Sequence, residues 1–391
     1  MKDPHLRKLY TCYENAFEKS VELYKYWAEM RKFKDPRRVK IYSSVQLSDA
    51  QKKQIDDFYL TNYGRKITHI FHRHYTALTG IFDVTFFPEI LHAPKFELYM
   101  HGNRMYTHVF EDKNLLPMLA ASAGVKTART LLSRVAGVWR DADNRPLSRA
   151  EFEEKLKNLG TAFAKPSVDS YGGMSCAAIH MQDGKDTLSG ISAAELMYRL
   201  GPDFIIQEKI VCHPSISRLY PKSVNTFRVI TYQWKDEICR CPVALRLGSG
   251  GRMVDNTSAG GMVIAVDDDG SLHDNAVTEF NQHYTQHPDT QVVFKGHKLP
   301  PLTPVLDAAV RLHRQLPQIG MCHWDFTLDE NGEPLLLEAN IRVGGFGLVQ
   351  RSHGKGVFGD KTAEILRWTA KMEKLSHAQR KPYRFGYMEK Q

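Results

Sequence analysis

Asp325, Glu338 and Asn340 are the side chains of this 391-residue chain whose types and spacing are best suited to chemistry. They belong to the stretch Cys322 to Gly347, CHWDFTLDENGEPLLLEANIRVGGFG. Asn331-Gly332 lies between two β-type runs and is a strong hairpin signal, because both residues tolerate the positive φ of a type I′ turn. A two-residue loop there sets Glu330 opposite Glu333, Leu328 opposite Leu335, Phe326 opposite Leu337 and Asp325 opposite Glu338. Directly opposed Cβ atoms sit about 4.5–5.5 Å apart, so two carboxylates there repel and call for positive charge between them. Alternation puts Asn340 on the face of Glu338 and sends Phe326, Leu328, Leu335 and Leu337 to a core on the other side. Asp, Glu and Asn oxygens on one face form a hard-ligand set for Mg²⁺, an ion that keeps coordination positions for substrate phosphates. The bland alternative is an acidic surface hairpin.

Such a site needs cations for the phosphates, and four segments offer them. Lys165 ends a predicted strand, Ala162 to Pro166, ahead of the loop SVDSYGGMS and a second strand, Cys176 to His180. Ser170, Gly172 and Gly173 in that loop let backbone N–H groups close over phosphate oxygens as an anion nest, and Lys165 adds a compact positive charge. This is not a P-loop, since G-x-x-x-x-G-K-[ST] does not occur. Arg228, on a predicted strand from Ser223 to Tyr232, and Arg246, on one from Val243 to Leu247, are expected to approach in an antiparallel sheet. There they would neutralise charge on a triphosphate and a reacting carboxylate. Asn256 follows in a Gly-rich loop, and Arg342, beside Gly344 and Gly345, is placed to grip an anionic second substrate. Surface salt bridges are the alternative for the arginines.

The run DFTLDENGEPLLLEAN resembles the metal-binding end of ATP-grasp enzymes, and other stretches resemble the sugar-transfer-associated branch of that family. These are FEDKNLLP at 110–117, AKPSVDSYGG at 164–173, IIQEKI at 205–210, SVNTFRVITY at 223–232 and VDNTSAGG at 254–261. They occur in the expected order, and the similarity runs from about residue 110 to 350. The resemblance implies an α/β (α+β) ATP-grasp fold in which two α+β subdomains sandwich ATP. By it, Asp325, Glu338 and Asn340 hold Mg²⁺ (two ions, with Mn²⁺ as a substitute), Lys113 reaches the nucleotide phosphates, and Gln207, Glu208 and Ile210 line the base. It implies residues 111–391 as the ATP-grasp domain, with a lid-like part at about 125–205 and a metal-binding part at about 206–391, preceded by a helical and small α/β region at 1–110.

The function that follows is an ADP-forming carboxylate–amine ligase. ATP and an anionic carboxylate give an acyl phosphate, which an amine or other nucleophile then takes. The branch name points to a uronic-acid sugar or glycan precursor. A small-molecule kinase on the same scaffold and a nucleotide-binding module without turnover are the rival readings. A protein kinase is disfavoured because His72-Arg73-His74 is not H-R-D and Asp325-Phe326-Thr327 is not D-F-G.

The remaining elements must position these groups. Leu6 to about Met30 repeats apolar residues at helical spacing, and that face is expected to pack on the body, with attachment to a membrane surface through its basic side as the alternative. A second helix from Ser48-Asp49 through Leu60 stops at Asn62-Tyr63-Gly64. Residues 66–110 read as short β-like runs broken by Pro88 and Pro94, with His69, His72 and His74 as packing or surface residues. Leu115 to Ala123 and Leu302 to Leu316 read as helices, and Ser148 with Glu151 as a capping box.

Composition is that of a globular protein with 42% hydrophobic and 25% charged residues. Its net charge of +9 suits anionic partners such as nucleotides and phosphorylated or uronic acids. No nucleic-acid-binding motif occurs, so no nucleic acid partner is expected. The six cysteines are scattered, as reduced structural thiols would be. No apolar run is long enough to span a bilayer and no secretory signal is visible, so the expected compartment is the cytoplasm. Oligomeric state is left open.

Overall fold

The structure is a computed structural model that describes residues 3–102, 105–168, 176–342 and 344–391. Its frame is a nine-stranded sheet. The strands run in the order Lys126–Thr127, Pro334–Asn340, Met321–Leu328, Thr226–Trp234, Val243–Leu247, Met262–Val266, Ala276–Thr278 and His283–Tyr284, with Glu237–Arg240 also pairing on Thr226–Trp234. Met321–Leu328 is buried at every position, so both of its faces must be covered.

One face carries Phe227, Val229, Leu245, Trp324, Phe326, Leu328 and Leu336 against Val305, Ala309 and Leu312 of the helix Thr303–Arg314. The other presents Ile230, Tyr232, Ala244, Val263 and Met321 to aromatic side chains from residues 33–100 and to Trp368 of the helix Thr362–Glu373. Fully burying a side chain of this size contributes about 1.5–3 kcal/mol relative to leaving it exposed. Along this second face the pleat that turns Met321, Ile230 and Ala244 into the core also turns Asp325, Arg228 and Arg246 to the same side. The apolar face therefore becomes a charged one at its end.

The acidic hairpin departs from the expected turn. Asp329 and Glu333 close the loop by the bonds from Asp329 N–H to the Glu333 carbonyl and from Gly332 N–H to the Asp329 carbonyl, both 2.9 Å. Only Gly332 adopts a positive φ, +83°, so this is not a type I′ pair. The Asp329 carboxylate also takes the N–H of Asn331 at 3.0 Å and of Glu333 at 2.9 Å, which favours the longer loop. Leu328 consequently faces Pro334 and Phe326 faces Leu336, one residue off the expected register. A bulge between Asp325 and Phe326 then restores Asp325 opposite Glu338. The core residues of this strand are Leu336 and Ala339, whereas Leu335 and Leu337 are only partly covered.

The second sheet has seven strands, in the order Pro146–Leu147, Val138–Asp141, Thr130–Val135, Phe204–Glu208, Gly160–Pro166, Ala177–Gln182 and Lys185–Asp186. Helices Arg149–Lys157 and Ala193–Leu200 cover one face through Phe152, Leu156, Leu196 and Leu200. Ser148 and Glu151 form the expected capping box. Lys165 stands opposite Ile205, and Phe163 opposite Gln207.

Among the described residues no strand precedes Lys126, so the β-like runs expected between 66 and 110 are helical or irregular instead. Their aromatic residues, Phe86, Phe87 and Phe96, are fully buried in the second core, and packing rather than strand pairing uses them. The helix Asp49–Tyr63 ends as expected on a left-handed Gly64 (φ +81°).

The helix Pro4–Lys32 keeps only part of its expected contact, since Val21 and Met30 pack against the second core but most of the face does not. Tyr10, Tyr13, Phe17, Tyr24 and Trp27 are exposed, and the side that turns inward carries Glu18 and Glu22, each 6% exposed. Glu22 holds Lys95 at 2.7 Å, and Glu18 pairs with His377 at 3.0 Å and with Arg380. Among the described residues no helix is long and apolar enough to cross a membrane.

Candidate active site

Asp325 sits at the centre of the charged face. It is directly opposite Arg228 on one neighbouring strand and Glu338 on the other. Arg228 Nε donates to its Oδ1 at 2.7 Å, and Arg228 Nη2 reaches Oδ2 at 3.3 Å. Arg246 Nη2 lies 3.1 Å from Oδ2, and Asn340 Nδ2 donates to the same oxygen at 3.2 Å. The carboxylate is 2% exposed. Burial works against its charged form, but Arg228 and Arg246 outweigh that and hold Asp325 below the ordinary carboxylate range.

Arg246 has a second carboxylate, Asp255 Oδ2 at 3.3 Å, and donates to Thr226 Oγ1 from Nε at 2.8 Å and Nη2 at 2.6 Å. The Thr226 hydroxyl passes the chain on to Asp255. Burial lowers the Arg246 pKa, but Asp255 and Asp325 together raise it.

Glu338 takes the ammonium of Lys113 at 2.9 Å, and its side chain remains 31% exposed. Lys113 donates its backbone N–H to the Ser167 carbonyl at 3.0 Å, which ties this edge to the seven-stranded sheet. From that sheet Lys165 lies near enough for both charges to act on it. Burial pushes its ammonium down to about 8, the Glu338 carboxylate opposes the shift and Lys113 adds to it. The positive charge that the sequence demands around the opposed acids is thus present, supplied by Arg228 and Arg246 at Asp325 and by Lys113 at Glu338.

Gln207 is buried and donates from Nε2 to the Ala128 carbonyl at 3.0 Å. Glu208 accepts the Arg129 N–H at 3.0 Å, and Ile210 packs against the first core. Asn256 stands at the N-cap of the short turn Thr257–Ala259, beside Asp255. Ser170, Gly172 and Gly173 lie outside the described residues. Arg342 is engaged within the protein: its Nε donates to Glu111, its N–H reaches Glu111 Oε1 at 2.6 Å, and Nη1 meets His108 Nδ1 at 2.6 Å.

Sequence reasoning passed over Glu111 and Asp255, although both stand inside motifs it singled out. The signal was the need of a covered arginine for a carboxylate, which buried Arg246 meets with Asp255 and half-buried Arg342 with Glu111. Beside this site a second buried group, His92, Glu97 and His323, brings its ligand atoms within 4.8 Å of one another. Lys25 holds Glu97 Oε2 at 3.0 Å, so an ammonium already answers that carboxylate.

The donor set suits a hard divalent cation. Glu338 is partly exposed, Asn340 turns its Nδ2 to Asp325 and so leaves Oδ1 as an acceptor, and both share the face of Asp325.

Two sheets, one carrying acids and arginines side by side on neighbouring strands with Lys113 paired to them, are the frame of an ATP-grasp protein. Residues 95–364 match the family described as sugar-transfer associated ATP-grasp, and the chain belongs to that family. No curated protein matches the sequence. Among solved structures the chain is similar to D-alanyl-alanine synthetase A from Vibrio cholerae, at 10% identity over 69% of this chain and 66% of that one, with a TM-score of 0.40. It is similar also to an L-amino acid ligase from Bacillus licheniformis, at 14% identity over 69% and 50%, TM-score 0.35. A third is the carboxyaminoimidazole ribonucleotide synthase from Aspergillus clavatus complexed with ATP, at 15% identity over 60% and 46%, TM-score 0.35. The match spans about half the length of the first such structures.

Proposed function

We propose that the protein is an ADP-forming ligase that activates a carboxylate with ATP and joins it to an amine or other nucleophile. The observation that carries this reading is the opposition of Asp325 and Glu338 across the hairpin, each answered by cations, Arg228 and Arg246 for the one and Lys113 for the other. In this reading residues 111–391 form the nucleotide-binding part, with a lid at about 125–205 and a metal-binding part at about 206–391, and the helices of 1–110 brace it.

Lys113 and Lys165 hold the phosphates, Gln207, Glu208 and Ile210 border the base, and the loop bearing Ser170, Gly172 and Gly173 closes over the phosphates with Asn256 nearby. Glu338, Asn340 and Asp325 would hold Mg²⁺, which when bound screens the negative charge of the triphosphate. A substrate carboxylate oxygen attacks the γ-phosphorus, the bond to the β-bridging oxygen breaks, and ADP leaves with that electron pair. In this reading Arg228 and Arg246 stabilise charge on the transferred group. The nucleophile then adds to the acyl carbon, loses a proton to solvent or phosphate, and inorganic phosphate departs. Arg342, held at Glu111, is the candidate to orient the second substrate once that pair is exchanged. A uronic-acid sugar is the substrate class the family name favours.

The test is Mg-ATP turnover against a panel of carboxylic acids and amines. ADP and a joined product support the reading, ADP with a phosphorylated product identifies a kinase, and AMP release overturns the acyl-phosphate route.

A further inference from the structure

A cavity of about 210 Å³ lies against the candidate site, between the N-terminal helices and the loop of Gly344, Gly345 and Gly347, with Arg228 in its wall. Three of its four cations are already matched by acids: Lys32 with Glu29 at 2.7 Å, Arg38 with Glu279 at 2.7 Å, and Arg228 with Asp325 at 2.7 Å. Arg351 is different. It is 9% exposed, and its Nε and Nη2 have no hydrogen-bond partner. A buried guanidinium in that state is costly, and an anionic ligand group removes the cost. Across the same cavity Glu89 bonds the Tyr75 hydroxyl through Oε1, while its buried Oε2 has no partner. The cavity wall thus holds both Arg228 and Arg351, and Arg351 has Glu279 and Glu89 near enough to act on its charge but no hydrogen-bond partner on Nε or Nη2.

Resting on the ligase reading above, we propose that this cavity takes the carboxylate substrate and that the substrate is a small dicarboxylic acid, in place of the uronic acid that the family name favours. Its reacting carboxylate lies toward Arg228 and its distal carboxylate is bound by Arg351. The volume of about 210 Å³ has room for a short acid. Arg351 is then a specificity-determining residue: its planar donors read the distal carboxylate in bidentate fashion.

The experiment uses the full chain. Binding of glutarate, succinate and butyrate is measured by titration calorimetry with Mg-ADP bound, for the wild type, Arg351→Met and Arg351→Lys. The wild type is expected to bind glutarate or succinate at least about 10-fold tighter than butyrate, as one charge-assisted contact would give. Arg351→Met should erase that preference while Mg-ADP affinity stays unchanged, and Arg351→Lys should restore part of it. Equal binding of mono- and dicarboxylates by the wild type, or an undiminished preference in a folded Arg351→Met, overturns the proposal whatever the variants' stability. If Mg-ADP binds and no dicarboxylate does, this inference falls alone; if Mg-ADP does not bind, the ligase reading falls with it.

Discussion

Asp325→Asn should destabilise the protein as well as disable it, and the size of the effect follows from the charges around it. Arg228 and Arg246, 7% and 8% exposed, share two carboxylates, Asp325 and Asp255. Asparagine keeps the shape but leaves one carboxylate for two guanidiniums, and breaking a buried pair of this kind costs about 3–5 kcal/mol. At about 2–4 °C per kcal/mol for a large domain, the melting temperature should fall by roughly 6–20 °C. Replacing Arg228 as well, in Asp325→Asn with Arg228→Gln, returns the balance to one carboxylate for one guanidinium. The double variant should therefore lose about 1–3 kcal/mol less than the sum of the two single losses. Urea unfolding of the four proteins measures this cycle.

The pH dependence supplies an internal check. Asp325 is held below its ordinary pKa in the folded state, so its contribution is fully present above the unfolded value of about 3.9 and fades as pH falls below it. The gap between wild type and Asp325→Asn should shrink below about pH 4. An Asp325→Asn protein within about 1 kcal/mol of wild type at pH 7, or strict additivity in the cycle, would refute the idea that this carboxylate holds the two arginines.

Three further outcomes are expected. Lys165 titrates at about 8, so Mg-ADP affinity should weaken as pH rises past 8, and Lys165→Met should flatten that profile in direct binding measurements. Burial raises Glu89 and Glu97 to about 7, which makes the folded state the better proton binder between the unfolded value near 4.3 and 7. Stability should then decline as pH rises across that window, and Glu89→Gln or Glu97→Gln should reduce the decline when unfolding is followed at pH 5 and pH 8. Leu336→Ala should cost about 2–5 kcal/mol and Leu337→Ala under about 1.5 kcal/mol; the reverse order in thermal unfolding would contradict the observed register.

Much of the site was legible because strand alternation is a local rule. Arg228 and Arg246 fall on one face of adjacent antiparallel strands, as their runs of alternating residues imply. Asp325 opposite Glu338 was also correct, but through two compensating departures: a loop one residue longer than the Asn-Gly signal implies and a bulge that absorbs the extra residue. Turn chemistry acts over a few residues, whereas the bulge answers to packing on both faces of a buried sheet, so no local pattern announces it. The pairs Lys113 with Glu338 and Glu111 with Arg342 join distant parts of the chain and leave no periodic trace. The first helix misled for a similar reason. Its period was plain, but its inward side was decided by Lys95, His377 and Arg380, which lie far along the chain.

The internal neutralisation of Asp325 and Glu338 has a consequence for the order in which ligands arrive. With guanidinium and ammonium groups already serving both acids, a lone divalent ion meets little uncompensated negative potential. It should enter accompanied by the polyphosphate that draws Lys113 and Lys165 away. Magnesium without nucleotide should leave the thermal midpoint unmoved, nucleotide without magnesium should bind weakly, and only the two together should stabilise the fold, making the complex rather than the ion the species recognised.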